Sequence, residues 1–136
     1  MDVCQAPTRF VVRASDTITG EQGSHYQPGI SNETAGALSL FLGTVTLPAG
    51  QRTKAHVHRH ESAHYMLSGD EVELWTGQRL EQRNIARPGD YLFIPADMPH
   101  VAVNRGRVPA VFIAARSEAS NNEAVVLRPD LEGLVP

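Results

Sequence analysis

The sequence predicts an all-β sandwich or barrel, and three observations carry that prediction. Roughly ten short runs of β-branched, aromatic and aliphatic residues recur about every 8–12 residues, each closed by a turn signal. No stretch of ten or more residues repeats its apolar positions with a helical period. The 11 glycines and 9 prolines are spread along the chain and not gathered into one linker, so turns punctuate its whole length. At 136 residues, 41% of them hydrophobic, the chain suits a single domain with a core of its own.

Residues 1–9, with Pro7, read as an extended lead-in, and Phe10 to Arg13 (FVVR) as a first short strand. Ala14 to Ala37 is polar and rich in turn formers, a loop-rich arm with one short strand, anchored by Tyr26 and Ile30. Leu38 to Leu47 is a strand ended by Pro48-Ala49-Gly50. Lys54 to His58 and Glu61 to Ser68 follow, and Gly69-Asp70 turns the chain into Glu71 to Trp75, where polar and apolar residues alternate. Arg79 to Ala86 reads as a polar edge strand. Arg87-Pro88-Gly89-Asp90 is a turn that leads into Tyr91 to Ile94, with Tyr91 and Phe93 expected to pack in the core. His100 to Asn104, the near-continuous apolar run Pro109 to Ala115, the polar loop Ser117 to Asn122 and the short strand Ala124 to Leu127 complete the chain.

Composition narrows the partners. A net charge of -3 and a single lysine, Lys54, with no basic cluster leave no electrostatic footprint for nucleic acid or an anionic membrane. No apolar run approaches the ~20 residues of a membrane span. The N-terminus lacks the order of a signal peptide. The lone Cys4 cannot form an intrachain disulfide, so a cytoplasmic location is expected.

Site chemistry is concentrated in Gly50 to Gly69, where four of the six histidines fall: His56, His58, His60 and His64. Histidine is the commonest transition-metal ligand among side chains. Residues two apart on a strand face one way, so His56 and His58 project together. A reversal centred on His60 would set His64 opposite His56 and Ser62 opposite His58, with Glu61 outward. His100 opens a later strand and can complete the set. A polar surface hairpin would account for clustered histidines, but not for the matched facing of His56 and His58. His25, isolated in a polar loop, is expected to have no metal role.

The stretch Gly50-x5-His56-x-His58 … Gly69, followed by Gly89-x5-Pro95-x-Asp97-x2-His100-x3-Asn104, resembles the two motifs of the cupin superfamily over residues 38–115. Its one departure in the second motif is Asp97 where the family has glycine, and aspartate tolerates a positive φ better than most residues. The segments YQPGIS (26–31), HESAHYMLSG (60–69) and LWTGQRLE (74–81) further resemble a bacterial subgroup of small cupins. The resemblance implies a double-stranded β-helix, a jelly-roll barrel with a metal in its mouth. One cupin domain would then span 1–136: an N-terminal arm at 1–37, the barrel at 38–115, and a C-terminal strand and tail at 116–136.

The same resemblance places His56, His58 and His100 at three ligand positions. The family's fourth ligand is a glutamate, and the matching positions hold Ser62 and Ala63. His60 is the favoured substitute, His64 the alternative or else an acid–base group, and a three-histidine site is the third option. A neutral imidazole set suits a divalent transition metal: zinc, nickel, iron, copper or manganese. Open coordination positions would support a dioxygenase, isomerase or cyclase acting on an oxygen-rich small molecule. A non-catalytic sensor or structural barrel is the alternative. Asn104 is expected to bond a turn or strand end, and a homodimer formed through edge strands and the arm is expected by analogy.

Overall fold

A computed structural model describes residues 8–14 and 16–136. Cys4 and most of the lead-in lie outside the described residues. In chain order the elements are β1 (Ile18–Thr19), β2 (His25–Ile30), the short helix α1 (Asn32–Ala35), β3 (Phe41–Leu47), β4 (His56–Val57), β5 (Ser62–Ser68), β6 (Val72–Thr76), β7 (Gln82–Ala86), β8 (Tyr91–Ile94), β9 (His100–Val103), β10 (Ala110–Arg116) and β11 (Val126–Leu127), then a 3-10 turn at Pro129–Leu131. The strands form two antiparallel sheets, one in the order β1-β2-β3-β10-β5-β8 and the other β11-β4-β9-β6-β7. From β3 to β6 the chain alternates between the sheets, which is the winding of a double-stranded β-helix. The predicted fold class is the observed one.

Alternation along each strand builds the interior. In β10, Ala110, Phe112, Ala114 and Arg116 are buried, whereas Val111, Ile113 and Ala115 are only half-buried. Phe112 and Ala110 pack with Leu47, Met66, Val72 and Ala86, and Val45, Leu92 and Ala102 lie against that cluster. Burying each large side chain of this group contributes about 1.5–3 kcal/mol. A second cluster covers the far side of the five-stranded sheet: Val101 and Val103, the outward partners of His100 and Ala102, meet Ala55, Leu80, Leu131 and Val135. The tail therefore buries one outer face of the barrel.

Two motif residues shape turns. Gly69 has φ 120°, and a Cβ there would stand 2.8 Å from the Ala110 Cα. Asp97 does adopt a left-handed backbone, φ 63°, and its N–H donates to the His58 carbonyl at 2.7 Å. Asn104 is buried: Nδ2 donates to the carbonyls of Leu47 and Val108, both at 3.0 Å, and Oδ1 accepts from Gly106 N–H at 2.9 Å. It ties strand ends together, as expected.

Four expectations need correction. Phe10 to Arg13 forms no strand; Phe10 is 93% exposed, and among the described residues no strand pairs with it. The arm holds two strands and a capped helix, not one strand in a loop. Tyr26 does anchor it, buried edge-on to Phe41 with its hydroxyl donating to the Asn121 carbonyl at 2.8 Å, while Ile30 is half-buried. Tyr91 and Phe93 are 82% and 58% exposed, since Leu92 and Ile94 take the inward positions of β8. Lastly, β4 and β5 do not pair as a hairpin. Residues 58–61 carry the chain from one sheet to the other, so His56 stands opposite His100, and His64 opposite Ala114 and Leu92.

Candidate metal centre

The winding brings three histidines to one end of the barrel. His56 lies on β4, His58 one residue past its end, and His100 at the start of β9; all three are buried. Their ring centroids are 4.1 Å (His56–His100), 4.7 Å (His56–His58) and 5.1 Å (His58–His100) apart. One donor nitrogen from each falls within 4.8 Å of the others.

Backbone carbonyls fix the tautomers. Nδ1 of His56 lies 2.6 Å from the Lys54 carbonyl oxygen, Nδ1 of His100 2.9 Å from that of Met98, and Nδ1 of His58 3.2 Å from that of Ala124. A carbonyl only accepts, so each Nδ1 carries the proton and each Nε2 keeps its lone pair. Burial also keeps the rings neutral: it lowers His56 to about 4, and holds His58 and His100 below the usual imidazole range. Three neutral, oriented Nε2 donors on buried rings suit a divalent transition metal, so the residues fit the group that the motifs imply.

His60 is also buried but faces elsewhere. Its Nε2 is 3.1 Å from Glu123 Oε2, its Nδ1 is buried without a hydrogen-bond partner, and its ring is 5.0 Å from that of His58. It groups with His58 and Glu123 as a second set of donors within 4.8 Å. His64 lines the cavity, edge-on to Phe112, with Nδ1 buried and unpartnered; burial lowers it to about 4. Ser62 is buried and lines the same cavity, and Glu61 is exposed, as parity requires. His25 sits on β2 with Nδ1 3.0 Å from the Thr19 hydroxyl.

Sequence reasoning missed Glu123. It lies beyond the expected polar loop, in no motif, and only the fold carries its carboxylate to within 3.4 Å of His58 Nδ1. Burial opposes its ionisation, but the His60 hydrogen bond, the nearby His58 ring and the charge of Arg116 outweigh that and hold it at about 2. Arg116 is the second omission. Buried at the end of β10, it stacks over Phe41 with its guanidinium carbon 3.6 Å from the ring centroid, donates to the Ser120 carbonyl, and stands 3.8 Å from Glu118.

Beside the histidines lies a cavity of about 100 Å³. Val45, Leu47, Val72, Leu74, Leu92 and Phe112 form its apolar wall, and His56, His58, His64, His100, Arg116 and Glu123 its polar one. No helix of the described residues is long and apolar enough to cross a membrane.

A family model described as a cupin domain matches residues 43–116. No curated protein matches the sequence. Among solved structures, the DMSP lyase DddQ from Ruegeria pomeroyi DSS-3 is similar at 25% identity and a TM-score of 0.60, over 90% of this chain and 54% of that one. An S161A mutant of the Bacillus subtilis oxalate decarboxylase OxdC aligns at 21% identity and a TM-score of 0.67, over 83% of this chain and 30% of its own. The chain thus spans about half of the first and less than a third of the second. A protein with a double-stranded β-helix domain from Klebsiella pneumoniae subsp. pneumoniae MGH 78578 aligns at 20% identity and a TM-score of 0.61, over 86% of this chain and 84% of that one.

Proposed function

The chain belongs to the cupin family, and on that premise we propose that it is a metalloprotein acting on a small molecule, with a divalent transition metal held by His56, His58 and His100. One observation carries the reading: three buried imidazoles whose Nδ1 protons all go to backbone carbonyls, leaving each Nε2 lone pair free, with one nitrogen of each ring within 4.8 Å of the others. Zinc, iron, nickel and manganese all suit such a set. His60, its Nε2 bonded to Glu123, serves in the outer shell in this reading, and the centre has three histidines. When bound, the metal supplies Lewis-acid polarisation of a substrate oxygen or an acidified water.

The chain's own residues supply the rest. The apolar wall keeps bulk water from the reacting end. His64, neutral and lining the cavity, is the group placed to hold or move a proton. Glu123 accepts from His60 Nε2 at 3.1 Å and sets its carboxylate 3.4 Å from His58 Nδ1, a negative charge beside that ring. Two of the similar structures are by name a lyase and a decarboxylase, which favours catalysis of an isomerase, cyclase or lyase kind over a purely structural barrel. A dioxygenase fits the same ligand set. Metal analysis of protein purified without added metal tests the proposal: about one equivalent is expected, and no metal either as purified or after reconstitution would end it.

The reading includes a homodimer, and a specific surface supports it. The outward positions of the six-stranded sheet form registered rows: Leu42–Ala115–Ala63–Phe93, then Thr44–Ile113–Tyr65–Tyr91, with Thr46–Val111 beyond. None of these residues is charged. At strand and residue spacings of ~4.8 and ~3.4 Å, the four strands β3, β10, β5 and β8 present on the order of 450 Å² in projection, and side-chain relief brings this toward the ~800 Å² per partner of a stable interface. The tail covers the matching face of the other sheet. A second copy is the occupant that fits, because an uncharged face meets itself across a two-fold axis without repulsion. A cytoplasmic location is part of the same proposal.

A further inference from the structure

Gln22, in the turn between β1 and β2, reaches two of the three histidines of the centre through one intermediary each. It is buried, although the turn that carries it is polar. Its backbone carbonyl accepts from the Lys54 N–H at 2.8 Å, and the Lys54 carbonyl takes the Nδ1 proton of His56. Its side-chain amide uses both protons: Nε2 donates to Ser24 Oγ at 2.9 Å and to Glu123 Oε1 at 3.3 Å. A carboxylate only accepts, so the amide nitrogen and not its oxygen must face Glu123. With Oε1 taken by Gln22, Glu123 Oε2 is the oxygen that meets His60 Nε2 and stands beside His58 Nδ1. The next residue, Ala124, supplies the carbonyl for the His58 Nδ1 proton. The arm grips the same loop a second time, two residues before Glu123. There Glu33 Oε1 accepts from the Asn121 N–H at 2.9 Å, and the Tyr26 hydroxyl donates to the Asn121 carbonyl.

We propose that Gln22 is a positioning residue of the metal centre, acting from the arm through Glu123 on His58 and through Lys54 on His56. This rests on the reading of those histidines as ligands. A neutral amide suits the task, because it fixes the carboxylate at one oxygen and leaves its charge to the histidines. Gly20 completes the arrangement. The Gln22 Oε1 packs against it, and a Cβ there would stand 2.5 Å from that oxygen and 3.1 Å from Nε2. Gly20 is not among the glycines with a positive φ, so alanine would add no backbone strain. The position is kept bare for the Gln22 amide and not for the turn.

Chelator competition on the full chain, with metal content measured on the same samples, compares Gln22→Leu, Gly20→Ala and Glu21→Asp with the wild type. Gln22→Leu and Gly20→Ala should each weaken metal binding about three- to tenfold with the stoichiometry unchanged, less than loss of the outer-shell carboxylate itself. Glu21→Asp, an exposed change in the same turn, should leave the affinity alone. In a Glu123→Ala background the Gln22→Leu loss should shrink below twofold, whereas a merely structural effect would persist undiminished. Hydrogen exchange reads the same link in metal-free protein: both variants should speed exchange across residues 121–125 at least threefold. Gly20→Ala deletes no atom and keeps the test decisive if Gln22→Leu fails to fold. Unchanged affinity, a loss that persists in the Glu123→Ala background, or unchanged exchange would each overturn the proposal. A wild-type chain that binds no metal would instead remove the metal reading, and the exchange comparison would still decide whether Gln22 holds the loop.

Discussion

His56 and His100 face each other across β4 and β9 with their ring centroids 4.1 Å apart, closer than either is to His58. This pair comes from two segments more than forty residues apart in sequence. The proposed centre depends on it, and His56→Ala should lower metal content from about one equivalent to below a tenth. His64→Ala, which removes a cavity-lining ring outside the trio, should leave the content near one. Metal content retained by His56→Ala, or lost from His64→Ala, would show that the ligands have been misassigned.

Glu123 accounts for a different share of the affinity. Its carboxylate lies beside the protonated nitrogen of His58, the position from which an outer-shell group orients a ligand ring and raises its basicity. Glu123→Gln should weaken metal binding by about 10–100-fold with the stoichiometry unchanged. A competition titration against a chelator of known affinity reads the shift directly. No change in affinity would reduce Glu123 to a loop contact.

Much of the barrel was legible because alternation and turn chemistry act locally. Tyr91–Ile94 is found where the turn at Pro88-Gly89 and the break at Pro95 place it, and Asp97 takes the left-handed conformation its place in the second motif demands. Facing was harder to read. All four residues of YLFI are apolar, so nothing in β8 itself told which pair turned inward. Phe10 to Arg13 has strand propensity but no partner, and pairing, not propensity, makes a strand. The His56–His58 facing held even though His58 lies past the end of β4, yet the partner across from His56 is His100 and not His64. Pairing between sheets is a long-range property that a local reversal at His60 could not reveal. Glu123 and Arg116 were hidden for the same reason: single charged residues in a loop and at a strand end, made significant only by what the fold sets beside them.

Acid stability should follow Glu73. Burial opposes its charge, but hydrogen bonds from Arg105 Nε at 3.0 Å, Trp75 Nε1 at 2.9 Å and Arg83 Nη2 at 3.1 Å prevail and hold it at about 2, against 4.5 for the free group. A carboxyl depressed in the folded state stabilises fully above its unfolded pKa and loses that contribution as pH falls through its folded value. The loss should therefore run from about pH 4.5 down to about 2. Glu73→Gln should cost on the order of 2 kcal/mol at pH 7 and flatten this part of the acid limb. Urea unfolding of both proteins at a series of pH values checks it; parallel acid limbs would show that Glu73 does not control them.

The uncharged outer face of the six-stranded sheet gives the last prediction. Phe93 and Tyr91 stand at its β8 edge, and Tyr65 lies 4.9 Å ring to ring from Tyr91, so one charge placed there meets its own copy across a two-fold axis. The wild-type chain should sediment as a dimer at micromolar concentration, and Phe93→Asp should weaken that association at least a hundredfold. Because Phe93 is more than half exposed in the single chain, the substitution should leave the thermal midpoint of the dissociated protein nearly unchanged. Gln82→Asp, an exposed change at the start of β7 on the other sheet, serves as the control and should leave the dimer intact. A wild-type monomer at high concentration would refute the dimer outright. A dimer that survives Phe93→Asp but breaks with changes in β7 would move the interface to the opposite edge of the barrel.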